Sequence, residues 1–92
     1  MVIKEVKYLK LHYRLDYVFD VDGDYDFDNQ DFDDSYEAEE TFDEAISEAD
    51  ETGLVELDLY EIKIYDYYRG EKEETLIKEW SAENWLNLWF YL

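Results

Sequence analysis

Carboxylates are the groups with which this sequence could do chemistry. Sixteen of the 32 residues from Asp20 to Glu51 are Asp or Glu, and none is Lys or Arg. The interval without a basic residue is wider still, because no Lys or Arg lies between Arg14 and Lys63. Residues 15–62 carry 20 acids and no base, whereas the other 44 residues carry 7 acids and 8 bases, so almost all of the net charge of −19 lies in one block. Like charges repel and weaken a compact state, and the block therefore requires an explanation.

Calcium binding is one chemistry that clustered aspartates could support. Asp20, Asp22 and Asp24 match positions 1, 3 and 5 of an EF-hand loop, and Asp31 falls at position 12. Tyr25 stands where that loop requires glycine, and no helix is predicted before the run. We therefore predict no specific metal site and no cofactor, and keep a calcium-binding module as an alternative.

Catalytic chemistry has weaker support. Asp58, Glu61 and Lys63 resemble the acid–acid–Lys arrangement of metal-dependent nucleases, but an acidic surface would repel DNA. The single histidine, His12, lies in an alternating strand pattern that predicts a solvent-facing side chain. The sequence has no Cys, no Gly-rich phosphate loop and no serine in a GxSxG context. We predict that the protein is not an enzyme and has no catalytic residues.

The first half of the chain is predicted to be extended. Residues 9–21 alternate between apolar and polar side chains, which predicts a long half-buried strand, and Gly23 indicates a turn or bulge. If the chain stays extended beyond Gly23, alternate carboxylates project from one face about 6.6 Å apart. That spacing is similar to the separation of successive phosphates on a DNA strand. Residues 29–36 are predicted to form a loop or short helical turn. Disorder over 22–34 is the alternative, which the aromatic residues in that stretch disfavour.

The second half predicts two helices and two strands. Thr41 to Glu44 form a capping box, which predicts a short helix that ends at Gly53. The predicted strands cover 54–68, with a bulge near Leu59 and Tyr60, and 73–80, with a turn at 69–72 between them. A last helix is predicted over 82–92. The fold class is α+β: one domain over 1–92, with a small antiparallel sheet of about three strands and two short helices in the order β-α-β-β-α.

The charge block itself predicts a surface for a basic partner. Solubility requires a net charge of only about 2–8 in a small domain, so −19 exceeds that need. A folded surface of carboxylates could take the place of DNA phosphates in the basic cleft of a DNA-binding protein. The predicted partner-binding residues form three rows: Asp20, Asp22, Asp24, Asp26 and Asp28; Asp31, Asp33, Asp34, Glu37, Glu39 and Glu40; and Asp43, Glu44, Glu48, Asp50 and Glu51. A plain acidic protein-interaction module is the alternative.

The C-terminal run WLNLWFYL carries more apolar surface than one small helix needs, which predicts a core helix or a homodimer interface. The candidate interface residues are Trp85, Leu88, Trp89, Phe90 and Leu92. No apolar run has the length of a transmembrane helix, and the N-terminus does not have the pattern of a signal peptide. We therefore expect a cytoplasmic protein. Because its strong negative charge would repel nucleic acid and an anionic membrane, we expect it to bind neither directly.

Four segments resemble a known family. They are YLKLHYRLDYVFDV, DYDFD, FDDSYEAEETFDEAISEAD and the aromatic C-terminus. Together they resemble the anti-restriction nuclease (Arn) proteins of T-even phages, and the middle segment is also similar to ArdA antirestriction proteins. The resemblance implies a phage protein in the host bacterial cytoplasm, with an α+β fold and a dimer whose acidic surface imitates duplex DNA. It implies partners such as restriction endonucleases or histone-like nucleoid proteins, and no catalytic residues.

Overall fold

A computed structural model of the chain describes residues 7–66 and 68–82. The described residues form four strands and two helices: β1 Lys10–Val21, β2 Asp24–Phe32, α1 Ser35–Ser47, α2 Ala49–Thr52, β3 Leu54–Asp66 and β4 Glu71–Ser81. The four strands form one antiparallel sheet in the order β2-β1-β3-β4. The α+β class is therefore confirmed, whereas the prediction of about three strands in the order β-α-β-β-α is wrong.

The additional strand is β2, which the sequence does not predict because it is rich in Asp, a residue of low strand propensity. Asp22 and Gly23 both have positive φ, 54° and 90°, and form a two-residue turn that pairs Val21 with Asp24. Asp-Gly is a favoured sequence for such a hairpin, because both central residues must adopt left-handed conformations. The chain therefore returns along β1 as far as Phe32, where we had predicted a loop from residue 29.

The first helix begins earlier than predicted. Its N-cap is Asp34, whose carboxylate accepts a hydrogen bond from the N–H of Tyr36 at 3.0 Å. Thr41, the predicted cap, lies inside the helix, because Asp34 supplies an equally good cap about two turns earlier. The predicted end is confirmed: Gly53 caps α2 with φ 81°. The helices form the crossover between β2 and β3, which run in the same direction on either side of β1.

The second hairpin agrees closely with prediction. A register shift between Leu59 and Tyr60 confirms the predicted bulge. The turn lies slightly earlier than predicted, because β4 already begins at Glu71, and Gly70 adopts φ 69° before it. At the other end, the N–H of Ala82 donates to the carbonyl of Val55, so the chain is still paired with β3 there. The rest of the predicted helix over 82–92 lies outside the described residues.

The core lies between the helices and one face of the sheet. Leu15, Leu57 and Leu59 on the sheet are almost completely buried, and Ala38 and Phe42 of α1 cover them. We refer to this side of the sheet as the helix face and to the opposite side, which neither α1 nor α2 covers, as the far face. Residues paired directly across antiparallel strands share a face, so the strand register assigns each charged residue to one side.

Candidate functional site

The acidic block is folded, and most of its carboxylates face solvent. Of the sixteen predicted partner-binding acids, fourteen are exposed; only Asp20 and Glu39 are partly buried. The apolar residues between them, such as Ala38 and Phe42, form the core instead. The block is therefore the outer surface of β2, α1 and α2, and the alternative of a disordered tract over 22–34 is wrong.

The first predicted row is only partly formed. Asp24, Asp26 and Asp28 lie on the helix face of β2, where they pair with Val21, Phe19 and Tyr17 of β1. Alternate residues of a strand lie about 6.6 Å apart, as expected for this row. The two other predicted members do not align with these three. Asp20 lies on the far face of β1 and accepts a hydrogen bond from the N–H of Gly23 at 3.0 Å, and Asp22 lies in the turn.

The second predicted row is divided between β2 and α1. Asp31 lies on the far face, with an Oδ1 atom 3.9 Å from Nε2 of His12. Asp33 lies 3.7 Å from the Lys10 ammonium group, and Asp34 caps α1. Glu37, Glu39 and Glu40 follow on the helix itself. The row is therefore a set of separate positions and not a line.

The third predicted row follows the end of the helical crossover. Asp43 and Glu44 lie in α1, Glu48 is its C-cap, and Asp50 and Glu51 lie in α2. The last turn of α1 contains no basic residue. Glu44 in the last turn of α1 faces the negative end of that helix's dipole, which lowers stability, whereas Asp50 and Glu51 lie in the first turn of α2, where acidic residues are favourable.

Few of these carboxylates are neutralised inside the described part of the chain. Only Asp31, Asp33 and Glu39 of the sixteen have an ion pair with a described residue, and Glu39 pairs with Lys78 at 3.6 Å. Twelve of the other thirteen are exposed to solvent, and Asp20 is partly buried. The region therefore combines a folded scaffold with a dense negative surface potential.

A second acidic cluster, on the far face, was missed by the sequence analysis. Asp16 of β1, Asp58 of β3 and Glu79 of β4 are directly opposite one another, and Glu56 lies two residues from Asp58 on the same face. Burial raises the pKa of Asp58, and the charges of Glu56, Glu79 and Asp16 raise it further. Each acid belongs to an alternating strand pattern, but only the strand register brings them together.

Arg14 balances one side of this cluster. Its guanidinium donates to Asp16 at 2.8 Å and to Glu74 at 2.7 Å, and it lies 5.1 Å from the centre of the Tyr60 ring. The hydrogen bond from Arg14, with a further one from Lys72, lowers the pKa of Glu74 to about 2. Asp58 has no such cation within the described chain, so the cluster remains negative.

The residues of the EF-hand-like and nuclease-like patterns do not lie together in the fold. Asp24 and Asp31, two of the EF-hand positions, lie at opposite ends of β2, roughly 23 Å apart along an extended chain. In the nuclease-like pattern, Asp58 pairs with Asp16 on the far face, whereas Glu61 pairs with Tyr13 on the helix face. No group of three or more metal-ligating side chains is placed to hold an ion within residues 7–66 and 68–82.

His12 is less exposed than the strand pattern predicts. Its side chain is 17% exposed, and its buried Nδ1 has no hydrogen-bond partner in the described regions.

The candidate dimer residues Trp85, Leu88, Trp89, Phe90 and Leu92 lie outside the described residues. Neither of the two described helices is long and apolar enough to cross a membrane. No protein-family model, curated protein or solved structure matches the chain.

Proposed function

We propose that the protein is an anti-restriction DNA mimic of phage origin, and not an enzyme. Its acidic surface takes the place of duplex phosphates and competitively blocks a basic DNA-binding protein in the host bacterial cytoplasm. A restriction endonuclease or a histone-like nucleoid protein is the expected target. The observation that carries this proposal is the exposure of fourteen of the sixteen block acids on a folded surface.

The scaffold supports this proposal over a solvated acidic tail. A disordered segment would lose conformational entropy on binding, whereas carboxylates on β2 and α1 are already positioned. The spacing of Asp24, Asp26 and Asp28 is similar to that of successive phosphates. Dense exposed charge also accelerates association with a partner of opposite sign and makes binding salt-dependent.

Homodimer formation remains part of the proposal. Its basis is the apolar C-terminal sequence and the resemblance to dimeric antirestriction proteins. Trp85 and Trp89 are the residues of that sequence with the largest apolar surface, and they are therefore the first positions at which to test for dimer formation.

The proposal is tested by capturing partners from bacterial lysate on the immobilised protein. We expect DNA-binding proteins that are released by high salt and also by added duplex DNA, because DNA and the acidic surface compete for one cleft. A triple variant, Asp24→Asn, Asp26→Asn and Asp28→Asn, serves as a control and should retain less of the same proteins. Partners that duplex DNA does not displace would instead identify a plain acidic interaction module.

A further inference from the structure

A cleft on the helix face combines aromatic rings with carboxylates that form no ion pair with a described residue. It has a volume of about 230 Å³ and lies between β1 and the helical crossover. Tyr17 and Phe19 of β1 line one side, and Glu44 and Glu48 of α1 line the other. This volume is below the roughly 300–1,000 Å³ typical of sites for drug-sized ligands, so the cleft suits a single side chain better than a small-molecule cofactor.

The aromatic side of the cleft is well ordered by its contacts. The rings of Tyr17 and Phe19 are parallel to within 6°, with 5.7 Å between their centres. The Tyr17 hydroxyl donates a hydrogen bond to Oε1 of Gln30 at 3.2 Å, which holds that ring toward β2. Aromatic rings attract a cation through their negative faces, and arginine is the side chain that most often makes this contact.

Negative charge surrounds these rings on two sides. Glu44 in α1 and Glu48 at its C-cap are four residues apart, a spacing at which like charges repel. Asp26 and Asp28 pair directly with Phe19 and Tyr17, so their carboxylates lie beside the rings on the same face. None of the four acids has an ion pair with a described residue.

The end of α1 adds to this potential. Glu48 is the C-cap of α1, where the carbonyl groups of the last turn carry the negative end of the dipole, and it is also the N-cap of the one-turn helix α2. A bound cation would relieve the repulsion between Glu44 and Glu48, and it would also stabilise the end of α1. A phosphate or a nucleic acid would be repelled from the same position.

On the basis of the function proposed above, we propose that this cleft binds an arginine side chain of the basic partner. The guanidinium lies against the rings of Tyr17 and Phe19 and donates hydrogen bonds to Glu44 and Glu48. Arginine fits better than lysine, because its planar group stacks on rings and donates to two carboxylates together. The rest of the acidic surface contributes charge without this selectivity.

Two peptides test this proposal without any DNA-binding protein. Hexaarginine and hexalysine carry equal charge, and their affinities are measured by calorimetric titration at fixed salt. We expect the protein to bind hexaarginine about threefold to fivefold more tightly than hexalysine, the range of an exposed cation–π contact. The ring protons of Tyr17 and Phe19 should shift in NMR spectra on addition of hexaarginine.

A matched pair of double variants separates the cleft from general charge. Glu44→Gln with Glu48→Gln removes two charges from the cleft, and Asp50→Asn with Glu51→Gln removes two exposed charges from α2. The first double variant should lose the preference for arginine, and the second should keep it. Equal behaviour of the two, or no preference for arginine in the unaltered protein, would overturn the cleft proposal. Displacement of captured proteins by duplex DNA would then still support mimicry, so the two failures are distinguishable.

Discussion

Among the carboxylates that the structure describes, Asp58 is the one whose charge the fold accommodates least well. It lies between Asp16 and Glu79 across the sheet, and like charges directly opposite on neighbouring strands are destabilising. Arg14 lies on the same face, but its guanidinium is engaged by Asp16 and Glu74. The raised pKa of Asp58 reflects burial first and these neighbouring charges second. Repulsion between the carboxylates of the far face therefore lowers the stability of the fold, and interactions elsewhere must offset it.

Replacing Asp58 with Asn should stabilise the protein at neutral pH. Because the pKa of Asp58 is higher in the folded state than the ordinary value of 3.8, the folded protein binds that proton more readily than the unfolded chain. The ionised carboxylate of Asp58 therefore lowers the free energy of unfolding fully above the folded pKa, and this loss disappears as the pH falls toward 3.8. We expect Asp58→Asn to increase the free energy of unfolding by up to about 1 kcal/mol at pH 7, measured by urea denaturation.

The control for this effect is Asp24→Asn, which removes one charge from an exposed position of β2. Its effect on the free energy of unfolding should be smaller at pH 7. Below pH 3.8 the Asp58→Asn variant should lose its advantage over the unaltered protein. A gain that is the same at both pH values, or one matched by the control, would show that local repulsion at Asp58 is not the cause.

Among the elements, the helical crossover depends on one close approach. Gly53 ends α2 in a left-handed conformation, and the N–H of Asp20 donates to its carbonyl at 2.8 Å. A Cβ atom at Gly53 would lie 2.5 Å from the backbone oxygen of Asp20, which cannot move without disturbing β1. This contact sets the end of the crossover against the sheet and thereby positions Glu44 and Glu48 over Tyr17 and Phe19.

Replacing Gly53 with Ala should be strongly destabilising. The left-handed backbone and the backbone clash act together, and we expect a loss of about 2–4 kcal/mol in the free energy of unfolding. Gly70→Ala is the matched control, because Gly70 also has positive φ but nothing lies within 4 Å of its added Cβ. That control should lose only about 1–2 kcal/mol. Equal losses in thermal or urea unfolding would contradict the role of the close approach.

The elements also show how much of the fold the sequence could predict. β1, β3, the bulge at Leu59 and Tyr60 and the cap at Gly53 follow from alternation and turn chemistry, and the structure confirms them. β2 could not be recognised by its composition, because Asp and Asn have low strand propensity. It forms a strand because the turn at Asp22 and Gly23 returns the chain along β1.

The candidate surface was predictable in composition but not in geometry. Most of the sixteen acids predicted to bind a partner are exposed, yet their predicted rows assumed one continuous direction of the chain. The turn after Val21 moves Asp20 and Asp24 to opposite faces, and the early cap at Asp34 extends α1. The far-face cluster around Asp58 depends on strand register, which no local pattern encodes.

For the whole molecule, the central question is why a small fold carries so much uncompensated charge. Acids along the β2 edge can be explained partly by protection against edge-to-edge association. That need is met by one or two charges on an edge strand, and it does not involve the outer surface of α1 or α2. A negative surface that extends over β2 and both helices is better explained by a basic partner.

The measurement that tests mimicry most directly is competition with duplex DNA for a captured partner. A complex of that partner with fluorescent duplex is titrated with the protein, and anisotropy reports the bound duplex. If the protein and DNA compete for one cleft, the protein should release the duplex completely. The protein concentration needed for release should increase in proportion to the concentration of duplex. Asp24→Lys, Asp26→Lys and Asp28→Lys together should weaken competition by roughly a hundredfold, from about 1 kcal/mol per lost contact. Glu71→Lys, Glu73→Lys and Glu79→Lys on β4 change the net charge equally and should weaken it far less. A ternary complex in which the duplex stays bound would contradict the account.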